Sequence, residues 1–324
     1  MNNRARVLAA LRGEPVDRVP LAFWLHDFDA ENDVERFVAE SLRLARTFGW
    51  DYLKPQSRAQ CFAEAWGLRY AASGRREVQY TRTHAPCAGA ADLRRLRPVD
   101  PSAGALGEQL EALRRIRAGV GADTPIIWTV FSPMMVMPFL LAGGVEQAVA
   151  IAREDPGALD HALAAVADTL AGYARLAIGA GADGLFYATN VARRGLLTPE
   201  ECRRFQRPWD LGVLGAVSAA PFHVLHVCGA DAHLDEFADY PVHALSWAAS
   251  EGNASLSDVR RRTGRAVIGG LPAKPLIATL TPAAIAARAR AAVREMRGSG
   301  LLLGPECSIN PDTPEALLHA ARVD

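Results

Sequence analysis

The chain has 324 residues, half of them hydrophobic, with 36 basic and 36 acidic side chains and a formal net charge of zero. That length supports a large core within one barrel-sized domain, and the charge balance excludes the basic footprint of a nucleic-acid binder. No stretch offers the ~20 uninterrupted apolar residues of a membrane span, and the arginine-flanked opening MNNRARVLAALRGEPVDRVP is not a secretory signal. A soluble, cytoplasmic protein with no membrane partner is expected.

Short apolar runs recur along the chain: PLAFWL (20–25), YLKP (52–55), PIIWTVFS (125–132), GLFYAT (184–189), FHVLHVC (222–228), ALSWAA (244–249), AVIGGL (266–271) and LLLGP (301–305). Most are apolar at both parities, the pattern of strands buried on both faces. Between them lie amphipathic segments with helix-start signals. Thr198 precedes Pro199, Thr281 opens a segment that runs to near Gly298, and Thr313 precedes TPEALLHAARV's apolar positions. Eight strands alternating with helices predict an α/β protein, a (β/α)8 TIM barrel forming one domain over 1–324. A doubly wound open sheet competes, but no G-x-G-x-x-G follows a strand. Residues 66–86 break the alternation and read as a small β-hairpin insertion turning at Ser73-Gly74.

In a barrel the strand C-terminal ends face the active site. His226 and Cys228 share one side of the fifth strand, Glu251 follows the sixth, and Cys307 follows the eighth. Two thiolates, an imidazole and a carboxylate converging on one mouth form a tetrahedral ligand set that favours Zn2+. The five cysteines, at 61, 87, 202, 228 and 307, are an odd number and suit thiol or metal chemistry better than a disulfide framework. Cys61 and Cys202 sit on helical patterns and are read as inert. The pair His84 and Cys87 has no further ligand nearby. The stretch DAHLDE departs from the corrinoid-binding D-x-H-x-x-G pattern, with Glu236 in place of the glycine, and no serine elbow or phosphate loop occurs.

The segments RVLAALRGEPVDRVP, GLLTPEECRRFQRPW, HVLHVCG and GPECSINPDTPEAL resemble the uroporphyrinogen decarboxylase superfamily over residues 4–321. Within it, His-x-Cys followed much later by Cys is similar to the zinc-containing methylcobamide:thiol (coenzyme M-type) methyltransferase branch. The resemblance implies a distorted (β/α)8 barrel, with His226, Cys228, Glu251 and Cys307 around zinc. It also implies a small thiol as methyl acceptor and a methylcorrinoid, on a partner protein or as free methylcobalamin, as donor. His26 and Asp27 after the first strand, Ser132 after the third and Tyr187 near the end of the fourth are expected near the substrate. The decarboxylases carry an Arg-Gln-Ala-Gly-Arg segment after the first strand. Here LHDFDAE stands there, without arginine from Leu21 to Glu35, so Asp27 and Asp29 are expected to repel a polyanionic porphyrinogen. Competing readings are a corrinoid-independent zinc alkyltransferase or lyase, a decarboxylase of a small acid, and a non-catalytic corrinoid-binding accessory protein.

Overall fold

The computed structural model describes residues 1–323. Strands β1 (Arg69–Ala71) and β2 (Thr81–His84) pair antiparallel as the expected hairpin. Its connection is wider than a tight turn: Gly74 takes a left-handed φ of 68° near its start, and the Ser73 hydroxyl donates to the Val78 carbonyl across the loop at 2.6 Å. Six parallel strands follow in sequential order: β3 (Ile127–Phe131), β4 (Gly184–Thr189), β5 (Val224–Val227), β6 (Ala244–Trp247), β7 (Ala266–Leu271) and β8 (Leu301–Pro305). These strands are buried almost throughout, which explains their unbroken apolar sequence: helices cover the outer face and side chains fill the interior. Gly304 permits one close approach inside the ring, since a Cβ there would fall 2.9 Å from Ile268 Cγ2 and 3.2 Å from the Trp24 ring.

The first two expected strands are extended segments rather than regular strands. Leu21 bridges Leu303 of β8, and Leu53 bridges Ile126 beside β3. Proline at 20 and at 55 removes ladder donors at their ends. Asp51 supplies the missing link. Its amide donates to the Leu21 carbonyl (2.9 Å). Its wholly buried carboxylate accepts from the Leu21 amide (2.9 Å), Arg6 (2.7 Å) and Arg18 (2.5 Å). The two edges of the six-stranded sheet therefore meet through irregular chain, and the fold is a distorted (β/α)8 barrel.

Helix starts follow local chemistry. Thr198 forms a capping box with Glu201, but the helix then passes through a π-helical turn at Cys202–Gln206 before resuming as Arg207–Gly215. Thr281 caps Pro282–Glu295 through the Ala284 amide. The last helix, Glu315–Ala320, starts two residues later than expected, because the Thr313 hydroxyl bonds back to the Asn310 carbonyl instead of capping. Pro156–Gly179 is long and apolar enough to cross a membrane by composition; here Leu159, Leu163, Leu170 and Tyr173 lie in the barrel's shell, fully buried.

Candidate metal centre

Strand β5 carries His226 into the barrel interior, where its ring stacks on Phe186 of β4 at 5.1 Å. The imidazole is oriented by a neighbour in register: His226 pairs with Ser246 across β5–β6, and its Nδ1 shares a hydrogen bond of 3.1 Å with the Ser246 hydroxyl. This leaves Nε2 as the ring nitrogen open to the thiols. Cys228 follows the strand, its amide held by the Thr189 carbonyl at 2.8 Å. Cys307 arrives from the loop after β8, and its Sγ lies 3.8 Å from Cys228 Sγ. The ligating atoms of His226, Cys228 and Cys307 all fall within 4.8 Å of one another. Tetrahedral coordination with Zn–S bonds of about 2.3 Å sets two thiolate sulfurs about 3.8 Å apart, so the spacing of the thiols fits that ion.

The two thiols are electrostatically unequal. Cys307 shares a hydrogen bond with Cys228, and despite burial this contact, His226 and the Ser308 amide hold it well below the ordinary thiol range. Cys228 is pushed well above that range by the same hydrogen bond, reinforced by burial and by the charges of Cys307 and Glu251. The pair thus favours one thiolate, stabilised by donors fixed in the barrel.

Glu251 lies on a short 3-10 turn, Ala249–Glu251, after β6. It is exposed, and it stands outside the three-residue cluster, although its charge reaches Cys228. The turn is tied to the Cys307 loop by Glu306, whose buried carboxylate accepts from the Ser250 amide (3.1 Å) and hydroxyl. Burial raises the Glu306 pKa.

His26 stacks on Phe28 at 4.8 Å, with Nδ1 on Glu31 (2.7 Å) and Nε2 on the Gln56 amide nitrogen (2.9 Å). Asp27 is buried and ion-paired with Arg76 of the hairpin at 2.7 Å, and Asp29 pairs with Arg36. Their expected repulsion of an anion is therefore largely cancelled, for Asp27 by the hairpin and for Asp29 by the helix that follows it (Val34–Phe48). Tyr187 follows Phe186 on β4 and is turned away from the cluster: its hydroxyl donates to Asp210 of helix Arg207–Gly215 at 2.6 Å, in a buried network with Gln206 and Tyr240. Ser132 is wholly buried at the start of helix Pro133–Leu140, near the same carboxylate. Cys61, Cys87 and Cys202 are buried, and burial pushes the Cys87 thiol up to about 11. His233 of DAHLDE is occupied by the Leu197 carbonyl at 2.8 Å.

Sequence reasoning missed Lys54. It lies in the YLKP run, buried, over the Phe186 ring at 4.6 Å, and donates to Gln56 Oε1. Burial lowers its pKa to about 7, against the opposing charges of Cys307 and Glu31. A directed chain of hydrogen bonds results: Lys54 donates to Gln56, Gln56 to His26, and His26 to Glu31. Ser246 and Glu306 were also missed. Strand register could have found Ser246, opposite His226; Glu306 adjoins Cys307.

A (β/α)8 barrel with a histidine and two cysteines gathered at the C-terminal ends of its strands is the class that fold and site define. The uroporphyrinogen decarboxylase (URO-D) family model matches residues 2–322, and the chain belongs to that family. A methylcobamide:CoM methyltransferase MtaA from Methanosarcina barkeri is 26% identical over 341 residues, covering 96% of this chain and 94% of that protein. A second MtaA, from M. barkeri strain Fusaro, is 30% identical over 211 residues; the match covers 63% of this chain and 59% of the relative's length. Among solved structures, a methyltransferase from Methanosarcina mazei superposes with a TM-score of 0.81 at 23% identity, covering 99% of this chain and 97% of that one. That likeness establishes the shared fold. The chain is thus homologous, at low identity, to methylcobamide:CoM methyltransferases.

Proposed function

We propose that the protein transfers a methyl group from a methylcorrinoid to a small thiol, with zinc held by His226, Cys228 and Cys307 and a fourth position shared between Glu251 and the acceptor. The observation that carries this reading is the convergence of the three side chains, with the two sulfurs at the separation a tetrahedral zinc requires. Bound there, zinc would lower the acceptor thiol's pKa while leaving its sulfur nucleophilic. The chain's own residues prepare that event. Ser246 fixes the imidazole's orientation, and Glu306 ties the Glu251 turn to the Cys307 loop. The acceptor sulfur then takes the methyl carbon by in-line displacement, and the bonding pair leaves with the corrinoid. A corrinoid protein is the proposed partner.

The test combines metal analysis of His226→Ala, Cys228→Ser, Glu251→Gln and Cys307→Ser with loss of methyl–cobalt absorbance from methylcobalamin across a panel of thiols. One zinc per chain is expected in the wild type, with loss in the first, second and fourth variants. Stoichiometric zinc in Cys307→Ser would refute the ligand set, and unchanged absorbance with every thiol and with corrinoid protein would refute the reaction.

A further inference from the structure

Beyond the end of β4 lies a cavity of about 470 Å3, within the range that holds a small organic ligand. The hairpin walls it with Tyr70 and Tyr80, helix Pro133–Leu140 with Phe139, and the chain beyond β4 with Asn190, Arg193 and Leu196. It adjoins the metal centre through β4: Thr189, which binds the Cys228 amide, precedes Asn190. Arg193 packs over Gly229, next to Cys228, where a Cβ would come within 3.3 Å of Arg193 Cδ. Its positive charge reaches the Cys228 thiol.

Arg193 differs from the other arginine of this wall. Arg82 is held by the carbonyls of Pro138, Leu141 and Ala142 at 2.7–3.0 Å. The Arg193 guanidinium makes no hydrogen bond or ion pair among the described residues, and its Nε is buried without a partner. Arg193 as a whole is half-buried, and its unpaired guanidinium, a permanently charged fork of donors lining an aromatic cavity, matches an anion with two oxygens.

On the reading that the protein methylates a thiol, we propose that this cavity binds the acceptor's tail. Arg193 takes a carboxylate or sulfonate, and the hairpin tyrosines and Phe139 enclose an aromatic or branched body longer than that of a two- or three-carbon thiol. The acceptor is thus an acid-bearing thiol of intermediate size.

The test uses the full chain loaded with zinc, methylcobalamin as donor, and three acceptors: mercaptopropionate, para-(mercaptoethyl)benzoate and the matching benzamide. The benzoate is expected to have the lowest KM. Arg193→Gln should raise that KM about 10- to 100-fold, as expected for loss of a hydrogen bond between charged groups, while the KM values of benzamide and methylcobalamin stay unchanged; Arg193→Lys should restore part of the loss. Equal losses for acid and amide, or a benzoate no better than mercaptopropionate, would overturn the proposal. A raised KM for methylcobalamin would overturn it by assigning Arg193 to the donor's phosphate. Calorimetric binding of thiol-free para-ethylbenzoate to zinc-free protein separates this inference from the catalytic reading. Binding that Arg193→Gln weakens at least tenfold, and that the cavity-filling Leu196→Trp abolishes, supports the site even if no methyl transfer is found. No binding to the wild type, or binding unchanged in both variants, overturns it.

Discussion

Replacing Lys54 by methionine should make the metal-free protein more stable at pH 6, by an amount set by how dry the ammonium is. The side chain lies buried against Phe186 with Gln56 as its hydrogen-bond acceptor, and its pKa falls from the ordinary 10.5 to about 7 through burial. That gap corresponds to roughly 5 kcal/mol of preference for the neutral form. The sign follows from linkage: between about 7 and 10.5 the unfolded chain holds the proton and the native chain does not, so native stability rises with pH across that window. Below it, both states are protonated and the full cost is present. Methionine has no such dependence. Urea denaturation of both proteins at pH 6 and pH 10, with a chelator present, gives a double difference that cancels the titrating groups not coupled to Lys54, leaving its own titration and its coupling to Cys307 and Glu31. The wild type should gain on the variant by about 4 kcal/mol over that interval, the Gln56 and Phe186 interactions that methionine forfeits being constant to first order. A double difference under about 1 kcal/mol would refute the claim that the site dehydrates this ammonium.

Other perturbations probe different links. Ser246→Ala removes the partner of His226 Nδ1 and should weaken zinc binding about 10- to 100-fold in competition with a chelating dye; unchanged affinity would remove Ser246 from any orienting role. Asp210 is raised from 3.8 to about 6 by burial, in spite of the hydrogen bonds from Tyr187, Gln206 and Tyr240. Its native pKa lies above the unfolded one, so its contribution is complete below about pH 4 and is lost as pH rises through about 6. The wild type should therefore lose about 2 kcal/mol relative to Asp210→Asn between pH 4 and pH 7 in chemical denaturation. A constant difference would contradict this. Thr198→Ala breaks the capping box and should cost about 1 kcal/mol, read as a lower urea midpoint at unchanged slope.

The barrel was legible because strands covered on both faces must be apolar at every position, and because Thr-Pro marks helix starts independently of tertiary context. His226, Cys228 and Cys307 could be gathered on paper since strand parity and strand ends fix which residues face the mouth. The irregular first two strands were not legible. Asp51 joins them by a carboxylate in place of a ladder, and nothing in a hydrophobic pattern announces that substitution. Lys54 was hidden for a related reason: in YLKP it reads as a break in an apolar run, and its burial arises only when Gln56 and Phe186 close around it. The charges of Asp27 and Asp29 were misjudged because Arg76 and Arg36 reach them through folding rather than adjacency.

The hairpin forms a sheet of its own, apart from the barrel strands, and reaches the mouth by side chains: Arg76 to Asp27, Tyr80 to Glu31. Sequence drift in that appendage can reshape what the mouth admits while the thiol cluster, anchored on β5 and β8, stays in place. Grafting another relative's hairpin onto this barrel is accordingly a route to altered substrate preference without rebuilding the thiol cluster.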